Sequence, residues 1–507
     1  MRHLLIRGLP VSFLIFIVVL PTIRLLWEGQ HGWSWELLSD PFVQWRFTWS
    51  FCQATFTCLI ALLLGVPVAW VLARHEFMGR SLIVRLLLLP FVIPTIVAGM
   101  GVLALFGPSG LVWQSTEETP WLLLYGNLFY NLPLIIRAGL DGFTRVPANH
   151  IAIARSLGAS PWRTFWRIEC AQAYPWLTSA VCLVFLYCFA GFGLALLLGG
   201  QRYATLEVEI YTLVAHQLNL SEAGVLAILT MSGSGLMVWA HLTLERRQER
   251  PLSGQPLARR PPQNLRDTLM LAGALLILGI FAAAPLIAIV WRALTAGFAA
   301  WKIGLNSETL TAVGNTLFFT LLTVLGAAVM GWLHALGARH QPGLRILTFL
   351  PTIVSPICIA FGLLLLYPGL AAHAGLLIAA YVLFAYPFVA NSLAASLGSQ
   401  SPNLFYAART LGATPLRAFF RVTWPLAHSS FRRGLAFAAA TAIGEFAVTL
   451  FLSRPEWATL TTLTYHHLGR AGAHHLAAAW VLSSGLMCLA LCVFIIIEWP
   501  DLRKKHA

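Results

Sequence analysis

AIARSLGASPWRTFWRIECA at residues 152–171 and YAARTLGATPLRAFFRVTWP at residues 406–425 are one stretch written twice, 254 residues apart. Between Ala154 and Arg167, nine of fourteen positions are identical to their partners in the second copy. In each copy a helical run stops at a glycine, Gly158 or Gly412, where no Cβ opposes a left-handed cap. The chain resumes at Ser160-Pro161 or Thr414-Pro415, a hydroxyl N-cap followed by proline at the first helical position. The pattern predicts a short rigid elbow, ringed by Arg155, Arg163 and Arg167 in one copy and by Arg409, Arg417 and Arg421 in the other. A loop is where packing constrains sequence least, so its duplication points to recognition.

The duplication extends along the chain. At the same shift Pro133 falls on Pro387, Asn149 on Asn403, Ala204-Thr205-Leu206 on Ala458-Thr459-Leu460, and Tyr211 on Tyr465. Around these landmarks the sequence is apolar to a degree that water does not tolerate: 58% of 507 residues are hydrophobic and only 10% charged, against roughly 25% charged in a soluble domain. Runs of about 20 apolar residues span a bilayer core. Such runs predict an all-α polytopic membrane protein with twelve spans: 9–27, 51–73, 82–106, 121–140, 175–198, 224–244, 268–291, 312–336, 344–366, 374–396, 435–452 and 475–498. The predicted organisation is a first repeat over 1–245 with its elbow loop at 145–171, a solvated Arg/Pro/Gln-rich linker at 246–267, and a second repeat over 268–507 with its elbow loop at 399–425. The N-terminal apolar run lacks a small-x-small cleavage site and reads as a retained first helix. Six spans per repeat make the two copies parallel, an arrangement that places a solute path at their shared interface.

With both termini in the cytoplasm, the inner segments carry 25 Arg and Lys residues and the outer loops six. Cytoplasmic loops retain basic residues, so that orientation is expected. The net charge of +14 is spread through short loops rather than gathered in a stripe, which argues against nucleic acid as a partner and for the bilayer. Seven of the eight cysteines fall in apolar segments with no CxxC pair, as expected of small buried hydrophobes.

At the elbows the chain resembles the permeases of binding-protein-dependent ABC importers, whose cytoplasmic loop reads EAA, three residues, Gly, nine residues, Ile-x-Leu-Pro. Ala407, Ala408, Gly412, Val422 and Pro425 occupy the family positions, with Tyr406 where Glu is usual. The first copy keeps Ala152, Ala154, Gly158 and Ile168 but has Ile153, Cys170 and Ala171 where the family has Ala, Leu and Pro. The resemblance implies a type I importer fold. It also implies that Ala152, Ala154, Arg155, Gly158, Ala159 and Ile168, with Ala407, Ala408, Arg409, Gly412, Ala413, Val422 and Pro425, dock two copies of an ATPase subunit. A bacterial inner-membrane location and a periplasmic binding protein follow from the same resemblance. No catalytic or metal-binding residue and no cofactor are expected in the chain itself. A phosphate-binding P-loop needs GxxxxGK, and none of Lys302, Lys504 and Lys505 follows a glycine, so ATP and Mg²⁺ belong to the partner.

The stretches 188–211 and 442–465, with the fused twelve-helix layout, look like the thiamine permeases of this family. Fused ferric-iron permeases share much of the pattern, and an ion-coupled secondary transporter is the more distant alternative. Glu445 is the notable single residue: a carboxylate inside an apolar segment is costly and needs a partner or a wet cavity. Glu445, Phe446 and Phe192 are expected to line a passage for a small cationic solute through charge and aromatic faces. A carboxylate that pairs with an arginine or caps a helix turn is the alternative for Glu445. His466, His467, His474 and His475 suggest metal capture, though adjacent imidazole pairs more often sit at a membrane interface. Arg137 and Asp141, four residues apart, read as a local ion pair.

Overall fold

The computed structural model describes residues 2–115, 118–248, 257–371, 373–452 and 454–504. Part of the predicted linker, 249–256, lies outside the described residues. The described structure is helical throughout, with one isolated parallel bridge between His75 and Arg260.

Eight helices are long and apolar enough to cross a bilayer, and two bent helix pairs pass the same test together. Two further helices, Pro120–Thr144 and Trp424–Gly444, are long enough but more polar. Their counterparts one repeat away, Ala374–Ser399 and Pro161–Phe189, are apolar spans. With these two the segments number twelve among the described residues, of which eight, or ten with the bent pairs, are apolar enough to cross, and several boundaries move. Pro41–Arg74 and Ser307–His340 each run 34 residues, beyond the expected 51–73 and 312–336, because Asp40 and Asn306 cap them early by accepting from Phe42 N and Thr309 N at 2.8 Å.

The expected straight spans 82–106 and 344–366 are instead bent by 106° and 91°. Each bend falls at a proline step: Pro94 adopts ψ 144°, and Ser355, ahead of Pro356, adopts ψ 160°. At Ser355 the following proline pushes the residue out of the α region; at Pro94 the proline is itself the extended residue ahead of Thr95, and in both places the helix restarts in a new direction. The expected spans 175–198 and 435–452 are also broken, at residues 190–192 and at Glu445-Phe446, and short helices Gly193–Leu198 and Ala447–Leu452 follow.

Close packing repeats with the sequence. A Cβ on Gly65 would lie 2.8 Å from Ile135 Cγ2, and one on Gly331 would lie 2.6 Å from Val389 Cβ, so the long helix of each repeat seats against Pro120–Thr144 or Ala374–Ser399 through a glycine. The first helices reach across. Leu20–Gly32 packs on Pro356–Leu366 of the second repeat, where a Cβ on Gly362 would lie 2.8 Å from Pro21 O. Ala284–Thr295 packs in the same way on Thr95–Phe106 of the first repeat, where a Cβ on Gly101 would lie 2.8 Å from Pro285 O.

The end of the linker is pinned rather than free. Arg260 N donates to Arg74 O, Glu76 N to Arg260 O, and Arg259 pairs with Glu76 at 3.1 Å. Large side chains such as Leu63, Leu276, Ile287 and Leu321 face outward, as a lipid-facing surface requires. Cys488 and Cys492 are exposed on the last helix, against the expectation that they are buried; Cys58, Cys188 and Cys358 are buried.

Candidate functional site

Both elbows have the geometry their residues dictate. In the first, helix Ala148–Ser156 ends at Gly158, φ +80°, with Gly158 N donating to Arg155 O and Ala159 N to Ala154 O. In the second, helix Pro402–Thr410 ends at Gly412, φ +82°, with Gly412 N donating to Arg409 O and Ala413 N to Ala408 O. These two crossed bonds are the Schellman closure that a left-handed glycine allows. Ser160 Oγ and Thr414 Oγ1 then accept from Arg163 N and Arg417 N, both at 3.3 Å, and start the next helix over Pro161 and Pro415. Each elbow passes through a π-helical turn, Phe165–Cys170 or Phe419–Thr423, before entering its span.

The predicted elbow residues are displayed unevenly. Ala152, Ala407, Arg155, Arg409, Gly158, Gly412 and Pro425 are exposed; Ala159, Ala408, Ala413, Ile168 and Val422 are half-buried, and Ala154 is buried. The residues that sequence reasoning passed over are apolar. Leu157, Trp162 and Trp166 in one elbow, and Leu411, Leu416 and Phe420 at the equivalent places in the other, are all more than half exposed. Exposed apolar patches of this kind mark protein or membrane interaction sites. Their signal was preserved apolar bulk: Leu157 is kept as Leu411, and Trp162 and Trp166 give way to Leu416 and Phe420. The first elbow is anchored by Glu169, which is buried, accepts from Trp70 Nε1 at 2.8 Å and pairs with Arg74 Nη2 at 2.6 Å.

The second candidate region lies where the repeats meet. Phe192 and Phe446, each in the break after a long helix, stack with centroids 6.1 Å apart and planes at 27°. Behind them Tyr211 packs on Phe192 at 5.4 Å and Tyr465 on Phe446 at 5.3 Å, so the four rings obey the repeat. The bend of the first repeat lies beside them: a Cβ on Gly193 would lie 2.7 Å from Thr95 Oγ1 and 3.5 Å from Phe446 Cδ1, and one on Gly444 would lie 3.2 Å from Pro94 Cα. An open cavity of about 570 Å³ adjoins this region, lined by Leu103, Leu196, Leu197, Tyr465, His466, Leu468, Gly469 and Arg470.

Glu445 sits in the break rather than inside a continuous helix, which corrects the expected mid-segment position. It ends Trp424–Gly444 with ψ 120°, and its Oε1 accepts from Val448 N at 3.0 Å, with the N–H groups of Phe446 and Ala447 also turned to the carboxylate. Its carbonyl accepts from Thr449 and Thr461 hydroxyls. Helix capping, the alternative named for this residue, is therefore what the geometry displays. Nor is Glu445 the lone carboxylate among the apolar segments. Glu207 and Glu209, in Leu206–Thr212, are buried; Glu209 pairs with Arg46 at 3.1 Å, and Glu207 Oε2 accepts from Ser355 Oγ at 2.7 Å.

Of the four histidines, His467 and His475 approach through their Nδ1 atoms at 3.3 Å, and no group of three or more His, Cys, Asp or Glu able to hold a metal occurs among the described residues. Arg137 and Asp141 form the expected pair at 3.2 Å.

The family model described as "Binding-protein-dependent transport system inner membrane component" matches this chain twice, over residues 61–249 and 327–506. The chain belongs to that family. Each match contains one elbow and one aromatic pair, so family membership and the internal repeat coincide. Among curated proteins, the chain is similar to the thiamine transport system permease protein ThiP of Escherichia coli, 26% identical over 97% of this chain and 96% of that one. The ThiP of Brucella abortus is 27% identical over 99% and 96%, and that of Haemophilus influenzae 24% identical over 87% and 86%. As an inner-membrane component of a transport system, the chain crosses its membrane several times.

Proposed function

We propose that this chain is the membrane-spanning permease of an ATP-driven importer for thiamine and its phosphates, receiving its solute from a periplasmic thiamine-binding protein. Both termini lie in the cytoplasm, and each elbow docks one copy of an ABC ATPase subunit. The observation that carries the coupling role is the pair of equally built, glycine-closed elbows with matched exposed apolar residues. Six spans separate the elbows from one repeat to the next, so both reach the same side of the bilayer. ATP and Mg²⁺ are held by the partner, and closure of its two subunits moves the elbows and with them the repeats. Thiamine as cargo is supported by the ThiP relatives, which align along nearly the whole chain. Phe192 and Phe446, which meet across the repeats, offer the aromatic faces that suit a cationic ring. No observation favours ferric iron or an ion gradient.

Competition uptake in membrane vesicles holding the full complex tests this assignment. Labelled thiamine uptake that needs ATP, is suppressed by unlabelled thiamine and is indifferent to ferric iron is the expected result. Uptake of iron instead, or thiamine flux that persists without an ATP-binding subunit, overturns it.

A further inference from the structure

Glu207 is fully buried, and its two carboxylate oxygens are treated differently by the fold. Oε2 accepts from Ser355 Oγ at 2.7 Å, while Oε1 has no hydrogen-bond partner among the described residues. Ser355 has nothing more to offer. It caps Pro356–Leu366 by accepting from Cys358 N at 3.1 Å, and its hydroxyl proton is given to Glu207. The bond also crosses between repeats, from Leu206–Thr212 of the first to the 91° bend of the second. One turn beyond Glu207, on the same helical face, Tyr211 packs on Phe192 and on Phe451. Phe192 in turn meets Phe446. A half-satisfied carboxylate therefore sits in the wall of the inter-repeat aromatic cluster, at a broken helix, the feature that marks solute sites in transporters.

The two candidate carboxylates are not equivalent in what they have left to give. Glu445 spends its oxygens on the backbone N–H groups that open Ala447–Leu452. Glu207 keeps one oxygen free, and its repeat counterpart Thr461 is uncharged and already bonded to Glu445 O. A buried acceptor without a donor is costly, and an ionised one more so, unless a cation or N–H donor completes it. A cation seated beside Oε1 in turn favours the ionised carboxylate.

We infer that Glu207, rather than Glu445, is the residue that selects for positive charge in the translocation pathway, its free Oε1 receiving the cationic part of the solute when the repeats move apart. The inference rests on the thiamine reading above. Ser355 positions the carboxylate; it does not itself choose the solute.

The test uses the full complex in proteoliposomes, with saturating binding protein loaded either with thiamine or with 3-deazathiamine, its uncharged isostere. The ratio of the two initial uptake rates in a variant is compared with the wild-type ratio, which removes the selectivity of the binding protein. Glu207→Gln keeps the shape and an acceptor for Ser355 but not the charge, and it is expected to lower the ratio roughly tenfold, the worth of one hydrogen bond to a charged group. Glu445→Gln removes the other candidate charge but keeps an acceptor for the Val448 N–H, and it is expected to leave the ratio at the wild-type value. A Glu207→Gln complex with an unchanged ratio, whether or not both rates fall together, overturns the inference, as does an equal drop for Glu445→Gln. Wild-type complex that imports no thiamine removes the cargo assignment, and the inference with it.

Discussion

Gly158 and Gly412 sit at φ +80° and +82° with open space where a Cβ would project, so a side chain there would strain the backbone without meeting any neighbour. Valine in a left-handed conformation costs about 1–3 kcal/mol at each site. The double variant Gly158→Val/Gly412→Val is therefore expected to insert normally into the membrane but to lose ATPase co-purification and uptake; full uptake by that variant would remove the coupling role. Gly273 is the control, because it lies in a helix with nothing within 4 Å, and Gly273→Ala should leave stability equal or slightly raised. Arg74 and Glu169 make the opposite kind of residue-scale statement. Their 2.6 Å pair is buried, so Arg74→Ala leaves a carboxylate with Trp70 as its remaining side-chain donor. A loss of about 3–5 kcal/mol is expected, read as a fall in the thermal unfolding midpoint of the detergent-solubilised protein, with Glu169→Gln milder. An Arg74→Ala midpoint equal to wild type would mean that the pair carries no stability.

At the scale of elements, the bends decide what the helices can do. A straight helix through residues 82–106 would satisfy its own backbone and present no polar break to the interior. Bent at Pro94 and at Ser355, the chain instead brings two helix starts to the repeat interface, each approached by a glycine or a carboxylate of a neighbouring element. The same two bent elements accept the first helices of the opposite repeats through Gly101 and Gly362. A Cβ at either glycine lies 2.8 Å from a proline carbonyl oxygen, which is backbone and cannot swing aside. Gly101→Val and Gly362→Val should each cost about 1–3 kcal/mol or more through overpacking. The measurable outcome is a lower yield of monodisperse protein and a lower unfolding temperature, and wild-type behaviour of both variants would show that the helices separate there without penalty.

For the whole molecule, the exchange of first helices means that neither half completes its own surface. Leu20–Gly32 covers part of the second repeat, and Leu265–Leu278 with Ala284–Thr295 covers part of the first. A chain divided between residues 248 and 257 is expected to give poor yields of either half alone. When the halves are co-expressed, an associated and uptake-competent pair is expected. Recovery of each half as a stable, independent membrane protein would contradict the exchange. The aromatic cluster and the Glu207–Ser355 bond belong to this scale too, since each needs both repeats to exist.

The elbows were legible in the sequence because every part of them is local. Glycine, hydroxyl and proline act within four residues of where they stand, and the repeat supplied a second reading of the same signal. The all-α membrane class followed for a similar reason: a bilayer demands long apolar runs whatever they pack against. The bends were hidden, since an apolar run continues unbroken through Pro94 and Val354-Ser355 and hydropathy does not record direction. Glu445 stood out by its charge alone, and Glu207, on a helix between two short loops, did not, yet only the folded chain shows the first capped and the second left half-bonded. Sequence by itself determined the membrane class, the duplication and the build of the two elbows, all products of forces acting along the chain. Tertiary structure alone decided which helices cross to the other repeat and which carboxylate keeps a free oxygen, because those depend on contacts between residues more than a hundred positions apart.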